Sequence, residues 1–268
     1  MSDNPSAAVP TADECLTMFR QGTKHLSAMA AKMEVCWNPN ESNPRRLHNL
    51  YARNLITCYV AKFAELSSSI IDAVEKGQYL TYALCGRSLI EHAATLRYYA
   101  LHRYPPLFGK GEVDVNQLIE VDDQHLRGGK FDWEAFLAGD YQKLWSVAAE
   151  KSRVQAKGKS QQKKAWHDLG TQPTVVRIGD CIKSWAAVSP GVGVVYDLFC
   201  DMVHPNIGST FLVASVGPSG LYFSKNRGES VGKRIFEQSF PMLVSATQKP
   251  FGEFLAILTG TILADAEL

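Results

Sequence analysis

Apolar residues recur every three or four positions along most of the chain, which is the spacing of one face of a helix. The first such run covers residues 16–33 and is broken by the sequence WNPN at residues 37–40. A second run, residues 45–76, keeps one apolar stripe over its whole length and is followed by Gly77, a residue that suits a helix end. The pattern therefore predicts two helices, and the second is long.

A third run, residues 79–104, is apolar around much of its circumference and stops at Pro105-Pro106. A helix that is apolar on nearly all sides is a buried helix, so we expect this one in the middle of a bundle. Shorter amphipathic pieces follow at residues 115–126 and 133–149.

The later part of the chain alternates between helical and extended patterns. Pro173 is predicted to open a helix that runs to Ala187, and the sequence SPGVG to form a loop before a further helix that begins near Tyr196. Residues 209–226 are rich in β-branched and aromatic residues on both sides of a Pro-Ser-Gly turn, which predicts a β-hairpin. A last helix, roughly Phe240 to Ala264, closes a mainly α helical bundle with one small hairpin.

Composition divides the chain into an arm, a core and an insertion. Residues 1–10 are predicted to be a disordered arm, and residues 11–268 a single helical domain in which the polar segment 107–172 is an insertion or lid. That insertion carries a run of basic residues followed by Trp166 and His167, which could follow a phosphate backbone and stack a base of RNA. A solvated charged loop is the alternative. The basic residues are Lys151, Arg153, Lys157, Lys159, Lys163 and Lys164.

Charge and cysteine content limit the function classes. The 268 residues carry a net charge of +1, so nothing global attracts the chain to nucleic acid or to an anionic membrane. Six cysteines without a CxxC pair indicate buried thiols in a reducing cytosol rather than a zinc knuckle. The longest apolar stretch, residues 254–264, is about half of the roughly 20 residues that span a bilayer. We expect a cytoplasmic protein with no membrane partner.

Two helices carry polar residues at spacings that place them together. Arg87 and Glu91 lie one turn apart on the third helix. On the later helix, Tyr196 and His204 share one stripe with Cys200, and two acids line the adjacent stripe, Asp197 and Asp201. If the two helices pack side by side, Arg87, Glu91, Asp201 and His204 converge out of reach of bulk water.

Three interpretations of this predicted cluster stay open. It is a structural ion pair with His204 near a helix end, where a cation favours the helix dipole. Alternatively it is a pocket in which His204 exchanges a proton and Arg87 holds an anion. Asp201-x-x-His204 also has metal-ligand spacing, but no second pair matches it, so no metal is expected.

Three segments resemble a bacterial family of unknown function, the one numbered 5677. They are GRSLIEHAATLRYY at residues 86–99, WHDLG at 166–170 leading into TVVRIGDCI, and YDLFCDMVHPN at 196–206. The resemblance covers roughly Leu47 to Gly208 and implies a helical fold and the positions Arg87, Glu91, Tyr196 and His204. It implies no activity.

A second resemblance is to HEPN-type ribonucleases, which are also helical bundles. Arg87 and His92 satisfy the Arg-x4-His spacing of that family, as do Arg20 with His25 and Arg97 with His102. The resemblance implies a homodimer that cleaves RNA without a metal, with Arg87 and His92, or His204, as catalytic residues. Motifs for nucleotide or dinucleotide cofactors are absent, so no cofactor is expected.

Overall fold

A computed structural model describes residues 10–35, 41–108, 114–127, 135–136, 138–146, 149, 176–223 and 229–263. Within that part of the chain, the helices with defined bounds are α1 (Ala12–Ala30), α2 (Pro44–Glu75), α3 (Tyr79–Tyr98), α4 (Pro105–Phe108), α5 (Val115–Arg127), α6 (Ile178–Ala186), α7 (Pro190–Val203), α8 (Ile207–Phe211) and α9 (Val231–Leu263). A small antiparallel sheet has three strands, β1 (Ser215–Gly217), β2 (Gly220–Tyr222) and β3 (Glu229–Ser230), in the order β2-β1-β3. The predicted mainly α fold with a small β element is confirmed.

The ends of the first two helices follow from local side-chain chemistry. Thr11 caps α1 by accepting from the backbone N–H of Glu14, while the Glu14 carboxylate accepts from the backbone N–H of Thr11 at 2.8 Å. This reciprocal pair satisfies two donors that a helix start leaves free. Asn43 caps α2 by accepting from the backbone N–H of Arg46, without a reciprocal bond, and Pro44 occupies the first turn. Gly77, with φ of +64°, adopts the left-handed conformation that allows the chain to leave α2 and turn into α3.

Helix α3 lies at the centre of the bundle, as its all-round apolar pattern predicts. It packs against α2, α6, α7 and α9, while α1 packs against α2 and α9. An aromatic cluster fills the junction of α3 with α7 and α9: Tyr82 makes edge-on contacts with Phe199 and Phe236, each with ring centroids 5.4 Å apart. The buried Tyr82 hydroxyl is paired with Ser239 Oγ at 2.8 Å. The burial of such a polar group is tolerated because it has this partner.

Gly86 sets the close approach of α3 to α7. A Cβ at this position would lie 3.0 Å from two ring atoms of Phe199 and 3.3 Å from Leu243 of α9. Real Cβ atoms essentially never come closer than this, so the missing side chain is what allows the Phe199 ring to lie against the α3 backbone. This close packing also brings the polar faces of α3 and α7 within reach of each other.

The structure corrects two predicted helix starts. Helix α6 begins at Ile178, after an extended Arg177, and not at Pro173. Helix α7 begins at Pro190, so that residues 190–193, predicted as a loop, form its first turn. Proline suits the first helical position, where its missing N–H would have no partner in any case.

The predicted hairpin is right only in its second half. Residues 207–211 form the short helix α8, because the Asn206 side chain accepts from the backbone N–H of Ser209 and caps it. The hairpin itself pairs β1 with β2 in the register Ser215 with Tyr222, and it turns through Pro218 and Ser219. The strand β3, which pairs with the other edge of β1, was not predicted.

The helix predicted over residues 79–104 changes its winding before it ends. After Tyr98 the chain forms a π-helical segment, Tyr99–Arg103, in which the N–H of Tyr104 donates to the carbonyl of Tyr99 five residues earlier, at 3.2 Å. The predicted stop before Pro105 is confirmed, since the helical run ends at Arg103, and Pro105 then starts the separate short helix α4. Such wider turns inside helices are rare and often occur at functional positions.

Helix α9 is longer than predicted, since it begins at Val231 instead of near Phe240. It contains Pro241 and Pro250, as expected from the sequence. Neither proline can donate to the carbonyl four residues before it, so packing against α1, α2, α3 and α7 holds this helix together.

The chain separates into two compact units, residues 1–121 together with 177–268, and residues 122–176. The bundle belongs to the first unit, and the second overlaps the predicted insertion. The predicted arm at residues 1–10 lies almost entirely outside the described residues, and the organisation as a single domain with an insertion at 107–172 stays a prediction. In the described part of the chain, no helix has the length and apolar character needed to cross a membrane.

The role of Gly86 can be tested against a second helical glycine. Alanine normally stabilises a helix by about 0.5–1 kcal/mol relative to glycine. Gly86→Ala is nevertheless expected to lower the free energy of unfolding, by about 1 kcal/mol or more, because overpacking against Phe199 outweighs the gain. Gly252→Ala on the exposed face of α9, where an added Cβ meets nothing within 4 Å, is expected to raise it. Urea unfolding measures both, and equal effects of the two substitutions would contradict the packing argument.

Candidate functional site

Three of the predicted site residues meet where α3 packs on α7, and we call them the Glu91 cluster: Arg87, Glu91 and Tyr196. Arg87 Nε donates to Glu91 Oε1 at 2.9 Å, and the Tyr196 hydroxyl donates to the same oxygen at 2.9 Å. One carboxylate oxygen of α3 thus holds a neighbour on its own helix and a side chain of α7. The fold is that of a helical protein with a partly buried charged cluster at its central helix.

The environment of the Glu91 cluster is intermediate between core and solvent. The side chains of Arg87 and Glu91 are 30% and 19% exposed. The hydrogen bond to Glu91 raises the pKa of Arg87. Burial, and then the hydrogen bond to Glu91, raises the pKa of Tyr196, and a further contribution comes from the Cys200 thiol one turn along α7. Tyr196 therefore stays protonated and acts as a hydrogen-bond donor.

The guanidinium of Arg87 is held in one orientation. Its Nε is bound to Glu91, and its Cζ lies 5.7 Å from the centroid of the Tyr196 ring, a cation-π distance. Among the described residues, its two terminal nitrogens have no hydrogen-bond partner. The outer edge of this guanidinium is therefore available to a planar anion.

Asp201 and His204 do not join the Glu91 cluster, and the predicted four-residue convergence is wrong. Both are exposed. Asp201 instead accepts from the Asn206 side chain at 2.6 Å, and His204 is the extended residue that ends α7, with its backbone N–H donating to the Cys200 carbonyl. Helix α7 ends at Val203, so the extended His204 no longer follows the stripe of Tyr196 and Cys200. Asp201 is still helical but lies on the exposed side of α7, away from α3.

The remaining predicted residues lie apart from the Glu91 cluster. Asp197 is exposed on α7. His92 is partly buried on α3, and its Nδ1 is 2.7 Å from the Ser88 carbonyl oxygen, so it is satisfied within its own helix and makes no hydrogen bond with Arg87. The basic residues proposed to contact RNA, residues 151–164, lie outside the described residues.

A second polar group involves residues that the sequence offered only as a repeated spacing. Arg97 Nη1 lies 3.4 Å from Ser184 Oγ of α6, and His102 Nε2 lies 3.5 Å from the same hydroxyl. We call these three residues the Ser184 cluster. The Arg-x4-His spacing was the available signal, but nothing in the sequence placed Ser184 beside it. Among the described residues, no group of three His, Cys, Asp or Glu side chains is arranged to hold a metal ion.

The pairing inside the Glu91 cluster can be tested by removing one or both charges. Arg87→Met leaves the partly buried Glu91 carboxylate with the neutral Tyr196 donor but without its cation, and is expected to lower the free energy of unfolding by about 1–3 kcal/mol. The double variant Arg87→Met with Glu91→Gln is expected to lose less, because no unpaired charge remains. Chemical denaturation compares the two.

The matched control for this comparison is Arg20, whose bridge to Glu75 is shorter, at 2.7 Å, but lies between side chains about half exposed. Arg20→Met is expected to change stability by less than about 1 kcal/mol. Equal losses in the single and double variants at Arg87 would refute the pairing.

His92 predicts a dependence of stability on pH. Burial, and secondarily the positive charge of Lys62, lowers the pKa of His92. As the pH falls through about 6.5, the unfolded chain gains a proton that the folded protein does not yet bind, so the free energy of unfolding decreases. His92→Gln should make that decrease smaller between pH 7.5 and 5, and should differ from the parent protein by a constant amount above pH 7.5. Parallel urea titrations at each pH measure this, and identical slopes would count against it.

Comparison with known proteins supplies no further identity for the chain. No family model, no curated protein and no solved structure matches it. The resemblances to the family numbered 5677 and to HEPN-type ribonucleases therefore stay predictions.

Proposed function

We propose that this protein binds a small carboxylate ligand at the Glu91 cluster, in a binding or regulatory role. The observation that carries the proposal is the Arg87 guanidinium, which is fixed by Glu91 from within and has terminal nitrogens without a partner among the described residues. Because an arginine presents two parallel N–H groups along this edge, it matches the two oxygens of a carboxylate. Its orientation is set before a ligand arrives, which reduces the entropy lost on binding.

The surface beside Arg87 indicates what the rest of the ligand is. Leu84 lies one turn before Arg87 on the same face of α3 and is 49% exposed, and Leu80 precedes it by another turn with 46% exposed. Exposed leucines next to an oriented cation favour a ligand with an apolar body and one anionic end. Covering such side chains contributes about 0.8 kcal/mol for each CH₂ group buried.

The ribonuclease interpretation rests on Arg87 with His92 or His204. Neither histidine has a hydrogen bond to Arg87 among the described residues, since His92 binds the Ser88 carbonyl and His204 is exposed at the end of α7. Two groups that act on one phosphodiester must both reach the reacting atoms. The described contacts therefore favour ligand binding over RNA cleavage at this site.

Titration calorimetry with acetate, butyrate and hexanoate at constant ionic strength tests the proposal. Hexanoate is expected to bind about tenfold more tightly than acetate, because burying roughly two of its four additional CH₂ groups against the leucines contributes about 1.5 kcal/mol. Arg87→Gln should abolish binding of all three acids, whereas Leu84→Ser should weaken hexanoate and leave acetate unchanged. Arg20→Gln, a surface arginine whose partner is Glu75, is the matched control and should bind as the parent protein does.

Two outcomes would overturn the proposal. One is the absence of saturable binding by any of the three acids to folded protein. The other is cleavage of RNA in the presence of EDTA that Arg87→Gln abolishes, which would support the ribonuclease instead.

A further inference from the structure

We infer that the Ser184 cluster, made of Arg97, Ser184 and His102, is a second and separate binding site that takes a phosphate group. It lies at the other end of α3 from Leu80 and uses none of the residues of the Glu91 cluster, so it does not depend on the proposed carboxylate site.

The first argument is an uncompensated buried charge. Arg97 is 7% exposed, far less than Arg87, yet among the described residues it has no carboxylate partner. Its neighbours among the described residues are neutral: the Ser184 hydroxyl at 3.4 Å and the ring of Phe254, 5.9 Å from Cζ. An arginine remains charged in a protein, and a buried charge without a counterion is costly. An anion from solution would remove that cost.

Burial lowers the pKa of Arg97, and no acidic group acts against that effect. The two helices that supply the neighbours of Arg97 each carry an acid near the contacting residue. Asp180, near Ser184 on α6, is exposed. Glu253, next to Phe254 on α9, has its carboxylate 3.8 Å from the Lys249 ammonium. The guanidinium does not cap α6 either, because the carbonyls of Lys183 and Trp185 accept from backbone N–H groups of residues 187–189. The charge thus has no structural partner that would explain its position.

The second argument is that the group is rich in donors and open on one side. The contacts of Ser184 Oγ with Arg97 and His102 are 3.4 and 3.5 Å, longer than a normal hydrogen bond. His102 is exposed, Ser184 is half-buried and Arg97 is buried, so the three side chains extend from the surface inward to the cation. No nitrogen of Arg97 is among the fully buried polar atoms that lack a partner in the described residues, so its unbonded nitrogens still reach solvent.

The third argument is the local winding of the helix. Residues five apart on an α-helix point in directions that differ by about 140°. The π-helical segment at residues 99–103 widens the turn between Arg97 and His102, and both side chains reach Ser184. Arg87 and His92 have the same spacing in regular α-helix and contact different groups, Glu91 and the Ser88 carbonyl. The unusual turn therefore has a specific effect, which is to assemble this site.

A phosphate group fits these donors better than a carboxylate does. The donors come from α3, the π-helical segment and α6 and lie at different depths, so they do not form the flat edge that a planar carboxylate matches. A tetrahedral phosphate offers three or more oxygens in different directions, and arginine, serine and histidine all donate to phosphate. The phosphate group is either free inorganic phosphate or part of a phosphate monoester.

The test is titration calorimetry with inorganic phosphate, adenosine monophosphate and adenosine, at constant ionic strength. The Arg87→Gln variant serves as the parent, so that binding at the Glu91 cluster cannot contribute. Saturable binding of phosphate or of the monophosphate, with none of adenosine, is the expected result. Equal affinity for the two would identify free phosphate as the ligand, and tighter binding of the monophosphate would identify a monoester.

Two substitutions that do not threaten the fold make the test specific. His102→Gln and Ser184→Ala change an exposed and a half-buried side chain, and each is expected to weaken phosphate binding about three- to tenfold, the effect of one lost hydrogen bond. Arg97→Lys keeps the charge but loses the guanidinium and should bind more weakly still, with folding checked by circular dichroism. Arg20→Gln is the control and should leave affinity unchanged. Binding that is no stronger than that of chloride, or that survives all three substitutions, would overturn the inference.

Discussion

The constraint on which the rest of the structure depends is that α3 is surrounded by α2, α6, α7 and α9 and still carries two arginines. A helix in that position buries its apolar side chains on nearly every face, so each charge needs either a partner or a route to solvent. Arg87 has a partner, because Glu91 lies one turn away and Tyr196 donates to the same oxygen. Arg97 has only neutral neighbours among the described residues and keeps contact with solvent. The charge of Arg87 is thus balanced by a carboxylate, whereas the charge of Arg97 is accommodated by contact with solvent. The two parts of α3 therefore present a paired and an unpaired cation.

The same sequence spacing gives different geometry in different parts of this chain. Arg-x4-His occurs three times, and in α1 and in the regular part of α3 the histidine is bound to a carbonyl of its own helix, Gln21 for His25 and Ser88 for His92. Where the winding changes to π, the arginine and histidine meet the same hydroxyl of another helix. A motif defined by spacing alone therefore carries little information until the local helix type is known.

Long-range features of the fold could be predicted where the sequence contains a strong local signal. The apolar stripe of α2, the stop at Gly77 and the central position of α3 all follow from periodicity and glycine chemistry. Short elements could not be predicted with the same security. Pro190 begins a helix although Gly191 and Gly193 follow it closely. The side chain of Asn206 caps the short helix α8 in a sequence rich in β-forming residues. At Asn206 a capping hydrogen bond outweighs the composition, and at Pro190 the fixed φ of proline at the first helical position does so.

In the candidate site, too, some contacts could be predicted from the sequence and others could not. The Arg87 and Glu91 contact is fixed by helical spacing and could be predicted, whereas the partner from α7 depends on how that helix is rotated and where it ends. Tyr196 faces α3 because Phe199 packs on Gly86. The rotation of α7 leaves Asp201 on its exposed side, and His204 lies beyond the end of α7 at Val203. Neither packing angles nor helix ends are encoded in the spacing of one helix. Ser184 could be found only from the fold.

Helix α9 is continuous in shape but not in its ladder of backbone hydrogen bonds. Pro241 and Pro250 cannot donate, so the carbonyls of Glu237 and Ala246 lack their usual helical donors. The stretch after Pro250 is therefore joined to the preceding turn by one backbone hydrogen bond fewer than in a regular helix. That stretch carries Phe254, whose ring lies beside the Arg97 guanidinium. The place of that ring beside the guanidinium therefore depends on side-chain packing, such as Phe251 stacked on Phe63, as well as on the backbone ladder of α9.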